Sequence, residues 1–389
     1  MIKDSNVLQN NNRLCYGMVG GGFGSFIGEV HRIAVRMNNN IDLVAGSFSS
    51  NYENSLKTGE SLGLKKERIY KDYNEMAERE SKREDGIDFV SIVTPNHLHY
   101  PVAKKFLENG INVVCEKPLV FEPQQAEELM KIAEEKDLIL AVTYTYTGYP
   151  MVKEARELVK EGVIGKIRFV YGEYSQDWLA SKVEEENKQA SWRVDPRRAG
   201  KSNVVGDIGT HIENVVSFIT GLKIKSLCAN LDTFVEGREL DDNAEILLKF
   251  ENNATGIFWC SQIAIGHDND LKIRIYGDKG SVEWEQENPN QLKLTKLNGS
   301  TQIISRGRTE LHPKAQIYSR LPSGHPEGYF EAMSNIYSSI YSVLLKKKTG
   351  EKIESKDFDF PTGKDGLNGV VFVNKCVESS KNFSSWVEL

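Results

Sequence analysis

Residues 14–28 read LCYGMVGGGFGSFIG, and this stretch decides the fold of the first part of the chain. A short β-rich run passes into a cluster of glycines, and a helical pattern follows from about Glu29. Glycines suit this place because a strand must turn sharply into a helix and the backbone must approach a phosphate closely. The free N–H groups of the helix start favour negative charge. The stretch therefore predicts the first βα unit of a dinucleotide-binding sheet.

Short β-rich runs and longer helical patterns alternate from this stretch onward, as in a parallel sheet with crossover helices. Six such units predict a doubly wound (Rossmann) fold over residues 13–148. The predicted strands are Leu14–Val19, Ile41–Phe48, a short piece around Arg68–Tyr70, Ile87–Val93, Ile111–Cys115 and Leu138–Thr143.

The rhythm changes from about Tyr149, where a helix over Met151–Glu161 is followed by alternating segments and hairpin turns. This pattern predicts a second domain, residues 149–389, of α+β class on a large, mostly antiparallel sheet. The fold class of the whole chain is thus α/β plus α+β. The predicted strands are Ala244–Phe250, Gly256–Ile265, Leu271–Tyr276 and Ser281–Trp284, and further helices are expected near Ile212–Thr220, Glu327–Lys346 and Lys364–Lys381.

The bulk composition agrees with two globular domains and excludes several classes of protein. The 389 residues exceed the usual size of one core, and the net charge is only −6. No basic stripe favours nucleic acid, and no apolar run favours a membrane span or a signal peptide. Met1–Asn12 is interpreted as a frayed tail. Five scattered cysteines without a pairing pattern indicate a cytoplasmic protein.

The glycine loop is irregular when it is compared with a Gly-x-Gly-x-x-Gly phosphate-binding pattern. If Gly20 and Gly22 are the first two glycines, the third place falls on Ser25; if Gly28 is the third, the loop has three extra residues. A glycine-rich loop without a ligand is the alternative. Ser47 and Ser49 stand at the end of the second predicted strand. This end carries neither the carboxylate that favours NAD nor the arginine that favours NADP. Either cofactor is compatible, with a slight preference for NAD.

Three further motifs stand where a ligand crevice is expected: TPNHLH at 94–99, EKPL at 116–119 and DIGTH at 207–211. Together with the first loop they resemble the Gfo/Idh/MocA family of oxidoreductases over nearly the whole chain. Finer motifs, WRVDP at 192–196 and GHPEGY at 324–329, resemble a subgroup of inositol or glycoside dehydrogenases.

The resemblance implies a nucleotide domain, a second domain with an open sheet, and homodimers or homotetramers formed through that sheet. It also implies Lys117 as the catalytic lysine and Asp207 and His211 as its catalytic partners. Around these positions we expect the cofactor to contact Gly20, Gly22, Phe23, Ile27, Ser47, Ser49, Thr94, Pro95, Asn96, His99, Glu116 and Lys117.

Oxidation of a secondary alcohol needs a base for the hydroxyl proton and a positive charge near the developing negative charge. Lys117 suits either role, and His211 is the other candidate base. Asp207 and His211, four residues apart, would share one helix face. A helix cap for Asp207 and a buried structural histidine are the alternatives.

Substrate contacts are expected from the catalytic groups and from a polar loop that precedes the DIGTH motif. The expected substrate-binding residues are Lys117, Trp192, Arg193, Asp195, Asp207 and His211. Tyr144, Tyr146 and Tyr149 are expected mainly to pack at the interdomain hinge.

The sequence thus predicts an NAD(P)-dependent dehydrogenase acting on a ring secondary alcohol of a sugar, glycoside or inositol. No metal is implied, because ligand-type residues do not cluster. The alternatives are a glycosidase that oxidises its substrate transiently with NAD and a non-catalytic nucleotide-binding protein.

Overall fold

The computed structural model describes residues 13–389, so the predicted tail at Met1–Asn12 lies outside the described residues. The first sheet has five parallel strands in the order β2-β1-β3-β4-β5. The strand order reverses between β1 and β3, and ligands bind beyond the carboxyl ends of strands at such a point. The strands are β1 (Leu14–Gly20), β2 (Ile41–Ser47), β3 (Phe89–Val93), β4 (Asn112–Cys115) and β5 (Leu140–Val142).

Five helices alternate with these strands and cover the sheet, which confirms the predicted doubly wound arrangement. Short 3-10 turns over Lys66–Arg68, Asn96–Leu98 and Thr145–Gly148 complete this part of the chain. The helices are α1 (Phe26–Arg36), α2 (Tyr52–Ser61), α3 (Tyr73–Glu80), α4 (His99–Glu108) and α5 (Pro123–Glu135).

The prediction of a sixth strand around Arg68–Tyr70 is wrong. Ile69 forms only one isolated bridge with Gly46, and the Tyr70 N–H donates to the Gly46 carbonyl at 2.8 Å. The chain cannot extend this pairing, because a 3-10 turn precedes it and the Asp72 side chain caps α3 directly afterwards. The β-rich residues here fill the core beside β2 instead of forming a strand.

The second sheet has nine strands in the order β13-β12-β11-β10-β6-β9-β8-β7-β14. Only the β6–β9 pair is parallel among the described strand pairs of this sheet, so the expected mostly antiparallel sheet is confirmed. The strands are β6 (Ile167–Ser175), β7 (Ile224–Asp232), β8 (Asn243–Phe250), β9 (Thr255–Ser261), β10 (Asp270–Gly277), β11 (Gly280–Glu285), β12 (Gln291–Lys296), β13 (Thr301–Ser305) and β14 (Val387–Glu388).

Helices cover one face of the second sheet, and the other face is open. Along β8 the residues alternate between buried and exposed, as a strand with one covered face requires. One π-helical turn, Val205–Gly209, leads directly into α9. The helices of this part are α6 (Pro150–Lys160), α7 (Lys188–Arg193), α8 (Pro196–Ala199), α9 (Thr210–Thr220), α10 (Pro313–Gln316), α11 (Tyr329–Thr349) and α12 (Gly363–Lys381).

The last two long helices return to the first sheet. Tyr337 and Ile340 of α11 belong to the same buried cluster as Phe89 and Val93 of β3, and α12 packs against α5 and β5. Burial of these apolar side chains joins the two parts of the chain tightly. The boundary at residues 148 and 149 therefore stays a prediction, although α6 does begin there.

The structure shows whether Ser25 or Gly28 takes the place of the third glycine in the Gly-x-Gly-x-x-Gly pattern. Gly20 has φ +85°, a conformation that favours glycine, and Ser25 caps α1 by accepting the Gly28 N–H at 3.3 Å. Gly28 lies inside α1, where an added Cβ would overlap the Cα of Gly21. Gly28 is thus the glycine that allows close packing between helix and loop, and the loop is three residues longer than the pattern.

We expect Gly28→Ala to destabilise the protein, because the new methyl group has no space against Gly21. Overpacking of this kind costs about 1–3 kcal/mol in the free energy of unfolding. Urea denaturation measures the change. Gly206→Ala is the matched control, because a Cβ there meets no atom within 4 Å. Equal stability of the two variants would contradict the assigned packing role.

Candidate active site

Lys117 stands just after β4, at the carboxyl edge of the first sheet. Its ammonium donates to the carboxylate Oδ1 of Asp207 at 2.8 Å and to the Asp207 carbonyl at 2.6 Å. Asp207 belongs to the π-helical turn before α9, so this ion pair joins the two parts of the chain. The side chains are 13% and 15% exposed, and the pair therefore lies largely out of water.

The Asp207 carboxylate is held on both oxygens. Its Oδ2 accepts from Arg193 Nε at 3.0 Å and from Gln262 Nε2 at 2.9 Å, while Lys117 occupies Oδ1. Burial opposes ionisation, but the positive charges of Arg193 and Lys117 hold the pKa of Asp207 well below its usual range. Asp207 is a fixed anion, and it does not serve as the N-cap of α9.

His211 lies in the first turn of α9, with its ring packed edge-on against tyrosines. The ring centroids lie 4.8 Å from Tyr146, 5.7 Å from Tyr144 and 6.2 Å from Tyr174. The buried Nδ1 has no hydrogen-bond partner among the described residues. Burial and the positive charge of Lys117 lower the pKa of His211 to about 3. The imidazole is therefore neutral at physiological pH, with a ring nitrogen that is not committed.

The tyrosines around His211 form a wall from the hinge and from β6. Tyr146 and Tyr174 share a hydrogen bond of 2.5 Å between their hydroxyls, and Tyr174 donates to Asn269 Oδ1 at 2.6 Å. Burial raises the pKa of both phenols, so both stay neutral. Tyr144 and Tyr149 are buried beside them, as the expected packing at the hinge requires.

Arg193 reaches Asp207 from the end of α7, where aromatic side chains surround it. Its guanidinium lies 4.3 Å from the ring centroid of Trp192 and 5.6 Å from that of Trp178. For Asp195 the expected substrate contact stays a prediction. Its two carboxylate oxygens accept from the Arg197 side chain, and Oδ1 also caps α8. Asp195 therefore holds the loop in shape and has no contact with the Asp207 cluster.

The predicted cofactor residues lie along one edge of the first sheet, around the glycine loop and the ends of β2 and β3. Phe23 is exposed at the tip of the loop, and Ile27 lies in the first turn of α1. Ser47 ends β2, while Ser49 accepts the Asn51 N–H at 3.2 Å. These positions surround the helix start and the switch point of the sheet.

The segment after β3 carries a buried polar atom without a hydrogen-bond partner in the described part of the chain, as His211 does. The hydroxyl of Thr94 is buried and has no hydrogen-bond partner among the described residues. Pro95 follows it, and Asn96 donates to the Ala199 carbonyl at 3.2 Å. Buried polar groups are nearly always paired, so Thr94 fits a ligand that supplies the partner. With the open glycine loop, these residues fit a dinucleotide.

His99 differs from its predicted role as a cofactor contact. Its ring is fully buried, and its two nitrogens lie 2.7 Å from the Pro118 carbonyl and 2.9 Å from the Thr94 carbonyl. Burial lowers the pKa of this imidazole. No ring nitrogen remains for a cofactor. His99 instead fixes the segment after β3 against the segment that carries Lys117.

Glu116 lies beside Lys117 and is also ionised. Its Oε1 accepts from His31 Nε2 at 2.8 Å and from the Thr143 hydroxyl at 2.5 Å. Burial alone would raise the pKa of this carboxyl, but the His31 hydrogen bond and charge together with Thr143 lower it to about 2. Sequence reasoning found Glu116 from its motif but missed His31.

Gln262 was also missed, because the predicted strand ran to Ile265. In the structure β9 ends at Ser261, and Gln262 leaves the ladder with its side chain between Asp207 and Asn203. The only local signal is a polar residue after an apolar strand. That signal is too common to identify a site.

A separate polar cleft of about 810 Å³ lies between α6, α10 and α11, away from these motifs. Its charges are largely paired with one another, as Arg156 with Asp359 and Lys314 with Glu157. We therefore place the candidate site at the sheet edge and not in this cleft. Within residues 13–389, no three acidic, histidine or cysteine side chains group to hold a metal ion, and no helix could cross a membrane.

The fold and this edge define an NAD-binding oxidoreductase, and comparison with known proteins supports that class. A sequence profile described as "Oxidoreductase family, NAD-binding Rossmann fold" matches residues 14–144. Another, described as "GFO/IDH/MocA C-terminal domain", matches residues 152–283. The chain belongs to the Gfo/Idh/MocA family of oxidoreductases.

Three relatives illustrate this membership. The uncharacterized oxidoreductase YfiI of Bacillus subtilis (strain 168) is 38% identical over 379 residues, which is 96% of each chain. An inositol dehydrogenase homolog from Azotobacter vinelandii, complexed with NAD+, is 36% identical with a TM-score of 0.93, over 98% of this chain and 100% of that one. The homolog is also known with NADH and myo-inositol, at a TM-score of 0.91, 35% identity and coverage of 97% and 98%. Levoglucosan dehydrogenase of Pseudarthrobacter phenanthrenivorans is 29% identical over 54% of this chain and 58% of its own length.

We expect Asp207→Asn to destabilise the protein, because it leaves Lys117 and Arg193 without their anion. Breaking a buried ion pair of this kind costs about 3 kcal/mol in the free energy of unfolding. The folded-state pKa of Asp207 lies below the unfolded value, so its contribution is present above about pH 4 and is lost at lower pH. Urea denaturation at a series of pH values measures the free energy of unfolding of wild type and variant. The difference between the two free energies should become smaller as the pH falls below 4.

Asp195→Asn is the matched control for this experiment. The asparagine can still cap α8. The substitution breaks only the ion pair with the exposed Arg197, so the free energy of unfolding should change little. A difference for Asp207→Asn that stays constant down to acid pH would contradict the ionised state assigned to Asp207.

Proposed function

We propose that this oxidoreductase transfers a hydride between a nicotinamide cofactor and a ring secondary alcohol of a sugar, glycoside or inositol. The observation that carries the proposal is the Lys117–Asp207 ion pair beside the neutral imidazole of His211. These groups meet next to the sheet edge that fits the dinucleotide. An alcohol at this place would have a proton acceptor and a positive charge within reach.

Each of the three groups has a separate role in the proposed reaction. The bound nicotinamide supplies the hydride acceptor. His211, which is neutral and 7% exposed, is the proposed acceptor of the hydroxyl proton. The Lys117 ammonium is positioned by Asp207 and stabilises the negative charge that develops on the substrate oxygen. Asp207 keeps Lys117 in place, and Arg193 and Gln262 keep Asp207 in place.

The surroundings favour a neutral, hydroxyl-rich substrate over a phosphorylated one. Arg193 is a cation beside the cluster, and Asp207 and Gln189 already occupy its Nε and Nη1 donors. Trp192 and the tyrosine wall offer aromatic faces and hydroxyls that suit a sugar or cyclitol ring. Relatives with inositol and levoglucosan in their names agree with this class of substrate.

The end of β2 supports a preference for NAD over NADP. Ser47 and Ser49 stand where a basic side chain would have to meet the additional phosphate of NADP. Neither serine supplies a positive charge. Binding constants for the two reduced cofactors would test the preference, and tighter binding of the phosphorylated form would contradict it.

We expect the purified protein to reduce NAD with at least one member of a panel of cyclitols, monosaccharides and glycosides. Lys117→Met should lower kcat/KM on that substrate by about 10²–10⁴-fold, because the transition state loses its nearby cation. Absorbance of the reduced nicotinamide measures the rate. Lys131→Met, at a lysine that is 74% exposed, is the control and should keep full activity.

Two outcomes would contradict the proposal. Full activity of Lys117→Met would remove Lys117 from the reaction. Release of an aglycone without net formation of NADH would indicate a glycosidase that uses the cofactor only transiently. Dissociation constants for NADH, measured for each variant, separate a chemical defect from lost cofactor binding.

We also propose that the protein forms a homodimer or homotetramer through the open face of the second sheet. Leu247 in the middle of β8 is 45% exposed, and Tyr276 of β10 is 36% exposed on the same sheet. Exposed apolar side chains on a broad sheet face are typical of protein interfaces.

Leu247→Glu should shift the assembly toward monomers in analytical ultracentrifugation, because it places a charge in the proposed interface. Ile317→Glu, at an exposed residue after α10 on the helical side, is the control and should leave the assembly unchanged. A wild-type protein that sediments as a monomer would contradict the proposal.

A further inference from the structure

A buried histidine that none of the sequence motifs includes connects Glu116 to the C-terminal helices. His31 lies on α1 and is completely buried. Its Nε2 lies 2.8 Å from Glu116 Oε1, and its Nδ1 lies 2.7 Å from the Tyr337 hydroxyl. The Ser91 hydroxyl lies 3.0 Å from the Tyr337 hydroxyl. The four side chains thus form a continuous chain of hydrogen bonds from β3 and α11 to the end of β4.

Because an ionised carboxylate can only accept, His31 Nε2–H donates to Glu116 whether the imidazole is neutral or carries a positive charge. On the other side of the ring, Nδ1 lies 2.7 Å from the Tyr337 hydroxyl and 3.2 Å from the Ser91 hydroxyl. The network therefore holds the ring from both sides, presents a donor to the carboxylate, and leaves none of its buried polar atoms without a contact.

The same contacts leave one carboxylate oxygen of Glu116 nearly free. Oε1 is shared by His31 and Thr143, whereas within residues 13–389 Oε2 accepts only the Lys117 backbone N–H, at a long 3.3 Å. The Glu116 side chain is 10% exposed, so part of it reaches the surface of the site beside Lys117. A carboxylate oxygen in that place can accept a hydroxyl hydrogen.

We propose that His31 and Tyr337 are positioning residues that hold Glu116 as a fixed acceptor for a ribose hydroxyl of the cofactor. Neither residue touches the cofactor itself. The proposal rests on the nucleotide-binding part of the proposed function and is independent of the alcohol that is oxidised. Because Tyr337 belongs to α11, tight cofactor binding also requires that α11 is docked on the first sheet.

The physical basis is the cost of a buried carboxylate without a partner. Removal of the His31 donor would leave Glu116 buried and underpaired, and such a carboxyl takes up a proton more readily. A protonated or rotated Glu116 is a poorer acceptor for a ribose hydroxyl. The effect of His31 on cofactor binding must therefore pass through Glu116, and it must grow as the pH falls.

The test measures dissociation constants for NADH by fluorescence, with the full-length protein, from pH 8 to pH 5. We expect His31→Leu to weaken NADH binding about 10-fold or more at pH 7, since a charge-assisted hydrogen bond is lost. Below neutral pH the binding should weaken further, whereas wild-type binding should stay nearly constant. His31→Gln keeps an amide donor and should recover part of the affinity.

A double-mutant cycle separates positioning from general damage. In a Glu116→Gln background, His31→Leu should change the NADH dissociation constant by less than about twofold, because its target is already absent. Tyr337→Phe is the milder variant, in case His31→Leu does not fold, and it should show the same dependence on Glu116. Tyr318→Phe is its matched control, because that hydroxyl bonds Ser339 at 2.9 Å, outside the network.

The outcomes are distinct. Unchanged NADH binding by stable His31→Leu or Tyr337→Phe would overturn the proposal, and so would equal losses with and without the Glu116 carboxylate. A protein that binds NADH as described but oxidises no panel alcohol would overturn the proposed substrate class and leave this inference intact.

Discussion

One ion pair, between the Lys117 ammonium and the Asp207 carboxylate, determines how the two parts of the chain meet. Its partners lie 90 residues apart in sequence, one after a strand of the first sheet and one in the π-helical turn of the second part. A largely buried charge without a partner costs several kcal/mol. Docking in which this contact forms is therefore favoured, together with the apolar packing of α11 and α12, and the same docking brings His211 to the edge where the cofactor fits.

The sequence predicted those features that depend on local pattern. The parallel and antiparallel sheets follow from periodicity, and the motifs around Lys117, Asp207 and His211 follow from their places at strand ends and a helix start. The features that it did not predict depend on distant contacts. Gln262 and His31 act through residues 55 and 85 positions away, and a single sequence gives no measure of such separations. The segment at Arg68–Tyr70 was assigned as a strand because buried β-branched and aromatic residues are typical both of strands and of loops that fill the core. The residue types alone do not separate these two cases.

The first sheet depends on residues from the far end of the chain. Tyr337 of α11 contacts His31 in the core beneath the glycine loop, and Asn38, just after α1, accepts from Arg320 at 2.7 Å. The nucleotide-binding sheet is thus completed by the helix that follows the second sheet. Motion between the two sheets would have to break these buried polar contacts, which favours a pre-organised site over a hinge that opens widely.

Asp207 and His211 stand four residues apart and differ in charge, one an anion and the other neutral, and their neighbours explain the difference. Both are buried, which disfavours the charged form of each. Asp207 stays ionised because Arg193, Lys117 and Gln262 donate to it, whereas His211 has aromatic rings around it and a buried Nδ1 without a partner among the described residues. The Lys117 ammonium acts in the same direction on both: it favours the anion of Asp207 and disfavours the cation of His211. One lysine therefore keeps Asp207 as an anion and His211 as a neutral imidazole side by side at neutral pH.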